Sequence, residues 1–333
     1  MTALPASEAA DLDAGRADVR ALLRRVGGVG AFGTAGEEPA EALLGAVRLV
    51  RELAGVSLAA AFSVWSQRMV LEYLACCPPP PPLDGLADAL RSGDVAGSTA
   101  LAPAIADLAG SAAVPVVAQR DGDGWRLTGS ISWASNLFDD AVVVTPARTP
   151  EQGRVVVVFR RTDPGVTPTP LYELAGLNGT GTGGLELAGL AVLAEQVLSE
   201  DLAAFMGTCR PTMLLLQTAL ALGLADASLD ATGGRPTGVL RPAHEQLAVR
   251  RDNLAVRLED LAASRVGVAP GDLARLRLEA MHAAADAVRL ETAVCGGAGF
   301  LAASDTARRV REAAFLPVQA PTEAQLLREA TAG

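Results

Sequence analysis

The chain has 333 residues, half of them hydrophobic, and a mean hydropathy of +0.28, so it can bury large cores and divide into two or three subdomains. Its formal charge of −10, from 28 basic and 38 acidic residues with no concentrated basic stripe, argues against a nucleic-acid partner. No lysine occurs, which removes Schiff-base chemistry and a P-loop lysine together.

The opening MTALPASEAADLDAG lacks a basic n-region and an apolar h-region, so a cytoplasmic protein is expected. An apolar stripe of Leu12, Val19, Leu22, Leu23 and Val26, stopped by Gly27 and Gly28, predicts a first helix. Pro39 is placed to open a second helix, with Leu43, Leu44, Val47, Val50 and Leu53 on one face. Ser57 can cap a third, running through Trp65 to Leu74. Five prolines at 78–82 then forbid helix and read as a stiff surface loop.

From about Ser98 the character changes. Runs at 114–120, 125–131, 141–145 and 155–160 are Val-rich and separated by Asp, Gly and Pro, and 183–190 and 192–198 continue the pattern. Short strands at this spacing predict a small β-sandwich or barrel. Within them GWRLTGSISWASN, 124–136, places Trp133, Ser135 and Asn136 at a strand end. An aromatic beside a hydroxyl there suits a flat redox-active ring that needs a stacking wall and a hydrogen bond to a ring nitrogen. A plain hairpin with a core Trp fits the same residues. The Gly-rich GLNGTGTGG, 176–184, has no lysine or following helix, and reads as a flexible connection rather than a phosphate loop.

Helices return over roughly 202–231, 241–264, 271–295, 302–314 and 321–330, punctuated by Gly233-Gly234, Gly267 with Pro270, and Gly296-Gly297. The stretch 212–225 is apolar all round and predicts a buried central helix. Arg, Gln or Asp interrupts the apolar runs before 18 residues, so no transmembrane helix is expected. The cysteines at 76, 77, 209 and 295 have neither metal-ligand nor disulfide spacing, and two histidines, His244 and His282, cannot build a multi-histidine metal site. The expected organisation is a helical domain at 1–90, a β domain at 91–199 and a helical bundle at 200–333.

That α–β–α order with GWRLTGSISWASN at its centre resembles the acyl-CoA dehydrogenase superfamily. The family's central motif ends Lys-x-Trp-Ile-Thr-Asn, and Trp133, Ser135 and Asn136 match its Trp, Thr and Asn, with Ser132 near the usual start. Cys295 to Phe300 resembles the family's Gly-Gly-x-Gly-Tyr turn, Arg309-x-Arg311-Glu312-Ala313 its Arg-x-x-Arg-Asp-Ala helix, and Pro321-Thr322-Glu323-Ala324-Gln325 its Gly-Thr-Ser-Glu-Ile-Gln. The resemblance implies an α+β fold with an N-terminal all-α domain, a central β-barrel or sandwich and a C-terminal four-helix bundle. It implies FAD, held by Trp133, Ser135, Leu101, Arg235, Gly296, Gly297, Thr322 and Glu323, an acyl thioester substrate, and a homodimer or homotetramer.

The chain also departs from the pattern. Thr-Glu-Pro is reduced to Leu101-Ala102-Pro103, and the Gln before the Gly-Gly turn is Ala293. The position of the family's catalytic Glu is Gln319, which cannot take a proton, and the position used by a minority of members is Met213. Glu323 and Glu312 are the remaining weak candidates for a base. Three functions stay open, the first placed ahead because the Trp-x-Ser-Asn element is retained. One is flavin-dependent α,β-dehydrogenation of an acyl thioester, with hydride transfer to flavin N5. The second is reduced-flavin monooxygenation or N-oxygenation, which needs no such Glu. The third is a catalytically silent partner subunit.

Overall fold

The computed structural model describes residues 4–34, 36–76, 83, 85–233, 238–264 and 269–331. The proline run at 78–82, Cys77, Gly234, Arg235 and Gly267 lie outside them.

The first apolar stripe forms two helices rather than one, α1 (Ala6–Ala14) and α2 (Arg20–Gly28). Gly15 takes the left-handed conformation (φ 71°) and closes α1, and Arg16 and Ala17 donate back to Asp11 O. α3 (Pro39–Val56) starts as its Pro predicts, and the Glu38 carboxylate accepts from Ala40 N and Glu41 N at 2.7 and 3.3 Å. Ser57 breaks the chain direction and its Oγ accepts from Ala60 N in the first turn of α4 (Leu58–Cys76), which is buried along most of its length. α5 (Leu86–Ser92) and α6 (Ala102–Leu108) are short.

Eight strands form one hydrogen-bonded sheet: β1 (Gly97–Thr99), β2 (Val117–Asp121), β3 (Gly124–Ala134), β4 (Val142–Arg148), β5 (Arg154–Arg160), β6 (Val166–Pro168), β7 (Gly183–Val192) and β8 (Val197–Ser199). The order is β6-β7-β3-β2-β4-β5-β8, with β1 parallel to β4. β1 and β6, three residues each, carry too little pattern to be read from sequence. The antiparallel β4–β5 pair is buried on both faces: Val142, Val144, Val156 and Val158 belong to the helical core, while Val143, Ala147, Val155, Val157 and Phe159 belong to a second core among the strands. Alternation of side chains along a strand accounts for this division, and burial on both faces for the unbroken Val run.

The remaining helices are α7 (Leu202–Thr232), α8 (Arg241–Ser264), α9 (Pro270–Cys295), α10 (Asp305–Phe315) and α11 (Glu323–Thr331). By length and composition alone α7 could cross a membrane, but 89% of its most apolar 18-residue window is buried inside the protein. It packs most extensively on α3 and α9. Gly223 permits the approach to α3, because a Cβ there would stand 2.2 Å from Arg51 O. The helical core is continuous from α1 to α11.

Candidate cofactor-binding cavity

A cavity of about 640 Å³ opens where the end of β3 meets α4, α6, α7, α10 and the segment before α11. Trp133, Ser135, Leu101 and Thr322, which are scattered over 222 residues of sequence, all border it, and so do Met213 and Gln319. Arg235 lies outside the described residues. Gly296 and Gly297 do not border the cavity; they form a tight turn after α9 where Gly296, at φ 58° and ψ −146°, occupies a conformation open essentially to glycine alone. Glu323 does not reach the cavity either: it accepts a 2.7 Å contact from His282 Nε2 near the surface. Glu312 is buried beneath the cavity wall, where Arg308 Nη1 (2.8 Å) and Leu58 N (3.0 Å) donate to its Oε1. Burial pushes its carboxyl above the ordinary range despite these contacts.

Local structure explains how β3 presents its last residues. Asn136, two residues past the strand, has φ 59°, a left-handed conformation that Asn tolerates, and is wholly buried. Its Nδ2 donates to Ser63 O (2.9 Å) and Gly97 O (3.1 Å), fastening β3 to α4 and β1. Asn136 is therefore a joint, and the side chains before it are the ones offered to the cavity. Trp133 is 58% exposed, touched edge-on by Tyr172 with ring centroids 4.7 Å apart. Tyr172 is itself anchored by donation to Ser132 O at 2.6 Å. A large apolar ring braced at one edge and uncovered beside a cavity is a stacking wall in search of a planar ligand.

Residues 176–184 are packed, not a loose connection. Asn136 N donates to Thr180 O and Leu137 N to Gly181 O, so the segment runs alongside the end of β3. It contributes Thr180 and Thr182 to the cavity, two residues that sequence reading passed over because glycine-rich composition signals a loop. Their hydroxyls form a chain with Ser135: Ser135 Oγ to Thr182 Oγ1, 2.7 Å; Thr182 Oγ1 to Thr180 Oγ1, 2.7 Å; Thr180 Oγ1 to Leu177 O, 2.8 Å. Each hydroxyl has one proton. A carbonyl only accepts, so Thr180 donates to Leu177, Thr182 to Thr180, and Ser135 to Thr182. The lone pairs of Ser135 are left for the cavity. A ligand N–H placed there finds an acceptor.

The rest of the wall is aromatic and aliphatic. Phe62 stacks on Trp65 at 5.2 Å and meets Phe315 edge-on at 4.8 Å, and the Tyr73 hydroxyl bonds Thr99 Oγ1 at 3.0 Å. Burial raises the Tyr73 phenol well above its usual pKa, which keeps it neutral. Arg311 is the one charged residue among those bordering the cavity, and Asp13 pairs with it. No Asp, Glu or His borders it among the described residues. A second cavity of about 700 Å³, bordered by the Arg68–Glu72 pair (3.0 Å), holds none of the cofactor-binding or base candidates expected from sequence.

No family model matches the chain, and no curated protein matches it. Solved structures do. A glutaryl-coenzyme A dehydrogenase in complex with glutaryl-CoA superposes with a TM-score of 0.88 over 98% of this chain and 90% of that one, at 21% identity. The chain has the acyl-CoA dehydrogenase fold. Butyryl-CoA dehydrogenase from Megasphaera elsdenii shares that fold at a TM-score of 0.87 and 18% identity, covering 98% and 93% of the two chains. Glutaryl-CoA dehydrogenase from Mycobacterium smegmatis, in complex with FADH2, does so at 0.80 and 20%, covering 95% and 86%. The acyl-CoA dehydrogenase fold accounts for the α–β–α chain order.

Proposed function

We propose that this protein is a flavin-binding oxidoreductase that takes FAD and an acyl substrate into the cavity of about 640 Å³. The observation that carries this reading is convergence: the Trp133 ring, the Ser135 acceptor, Leu101 and Thr322 border one space whose remaining wall is aromatic and aliphatic. Trp133 would wall the flavin ring and Ser135 Oγ would meet a ring N–H. FAD supplies the electron chemistry when bound. The chain contributes binding, orientation and exclusion of water.

α,β-Dehydrogenation needs a carboxylate at the substrate α-carbon, and general bases of this kind supply roughly 10²–10⁴ in rate. Neither Gln319 nor Met213 can provide one, and among the described residues no acidic side chain borders the cavity. The reading that the cavity supports best is therefore redox chemistry that needs no such base, with oxygenation by a reduced flavin as its reaction class. A second reading, thioester dehydrogenation with the base supplied by a second chain, draws on the shared fold and on Phe300 and Leu301. These are 85% and 65% exposed beside Gly296-Gly297, where an oligomer contact would cover them.

The test begins with colour. Protein mixed with FAD and desalted is expected to stay yellow; protein that takes up no flavin would leave only the silent-partner reading. Flavin-loaded protein kept anaerobic with butyryl-CoA and longer saturated thioesters is expected to keep its visible spectrum, and oxygen uptake with a flavin reductase is expected to rise with substrate. Bleaching by a thioester would overturn the oxygenation reading.

A further inference from the structure

Four arginines are buried among the described residues, and three of them have carboxylate partners: Arg20 with Asp140, Arg308 with Glu312 and Arg309 with Glu291. Arg277, on α9 and wholly buried, has none. Its Nη2 donates to Leu316 O at 3.2 Å and to Gln319 Oε1 at 3.1 Å, while Nε and Nη1 have no partner. Desolvation pulls its pKa down to about 10, which leaves it cationic at neutral pH. Tying the turn after α10 to α9 by these two bonds needs N–H donors but no charge. Burying a cation without a counter-ion is strongly unfavourable, and a structural tether does not explain it.

What Arg277 touches is Gln319, on the cavity wall. Because Gln319 Oε1 accepts from the guanidinium, the amide orientation is fixed; the flipped amide would set N–H against N–H. Its other end is Nε2, a donor without a partner. Trp65, which also borders the cavity, has a second buried donor, Nε1, without a partner. Among the described residues the cavity has no acidic side chain on its wall, and the single cation there, Arg311, is already neutralised by Asp13. Unsatisfied donors backed by an uncompensated positive charge form a wall that selects an anionic acceptor.

We infer that the Gln319 end of the cavity is a seat for a carboxylate of the acyl ligand, with Gln319 Nε2 as its direct donor and Arg277 as the positioning residue that orients the amide and supplies the charge. Where the family's catalytic carboxylate would stand, this chain thus receives a carboxylate instead of offering one. The inference does not rest on flavin binding, so its test uses the protein as purified, whatever its colour.

Calorimetric titrations with hexanoate, hexanamide and 1-hexanol, which share a six-carbon skeleton, read the seat directly. Hexanoate is expected to bind about tenfold or more tighter than either neutral probe. The preference should fall to about threefold or less in Gln319→Leu and Arg277→Met, and Arg277→Lys should restore part of it, which a purely structural role would not do. If Arg277→Met does not fold, Gln319→Leu decides. Equal affinity for hexanoate and hexanol, equal affinity for the amide, no hexanoate binding, or a preference that survives in Gln319→Leu would overturn the inference.

Discussion

The two ends of α9 treat buried charge in opposite ways. Towards its C-terminus Glu291, wholly buried, receives Arg309 through two bonds of 2.8 and 2.6 Å and Thr306 through a third of 2.6 Å. Arg277, fourteen residues earlier and about 21 Å along the axis, is as deeply buried and has only carbonyl and amide oxygens for company. The first end closes the bundle against α10 and has its charges settled within the chain. The second lies behind the cavity wall. On one helix, a matched pair marks structure and an unmatched charge marks the place where a ligand completes the electrostatics.

The largest effect should come from breaking the matched end. Glu291→Gln leaves Arg309 buried without its partner and is expected to cost about 3–5 kcal/mol in urea denaturation. Burial works to raise the Glu291 carboxyl, but the bonds from Arg309 and Thr306 prevail and hold it below the ordinary range. Its contribution is therefore complete above the ordinary carboxylate pKa and is lost as pH falls through the lowered folded-state value. Wild-type stability should decline on that acid limb, and the Gln variant should decline less. Arg277→Met, by contrast, is expected to leave stability within about 1 kcal/mol or to raise it. A loss equal to that of Glu291→Gln would erase the distinction between the two ends.

Smaller effects sharpen the ligand side. Trp133→Ala should weaken FAD binding roughly tenfold, about the 1.4 kcal/mol that a lost aromatic face is worth, as read by fluorescence titration. Thr180→Val removes the end of the hydroxyl chain, so Thr182 can turn to donate to Ser135, and Ser135 can donate to the cavity. That change favours an oxidised ring nitrogen, which accepts, over a reduced one, which donates. The midpoint potential of bound flavin should fall by about 10–30 mV, the equivalent of one net hydrogen bond in a two-electron couple. Thr180→Ser should leave it in place.

How much of this was legible in sequence varied with how local the cause was. α8 matches its expected span, and α7 its expected burial, because apolar spacing alone specifies them. Trp133 and Ser135 were legible as a pair at a strand end. The break between α1 and α2 was not, since the apolar stripe runs on through both while Gly15 turns the chain. Thr180 and Thr182 were hidden by their glycine-rich surroundings; what makes them a wall is pairing with Asn136 and Leu137, forty-odd residues away. Arg277 gave no local signal, because a charge in a helical repeat normally faces water. Glu323 shows the converse: its place in a motif aligned it with the site, yet its side chain meets His282 on α9 instead.

The β4–β5 pair has a thermodynamic consequence. Its alternate valines serve as lining for two separate apolar interiors, so the pair is a party wall between them. Neither interior can melt while the other stays intact without stripping one face of the same two strands. The strands and the helices should therefore share a single calorimetric transition, and a truncation such as Val156→Ala on the helical side should lower the melting of both interiors together.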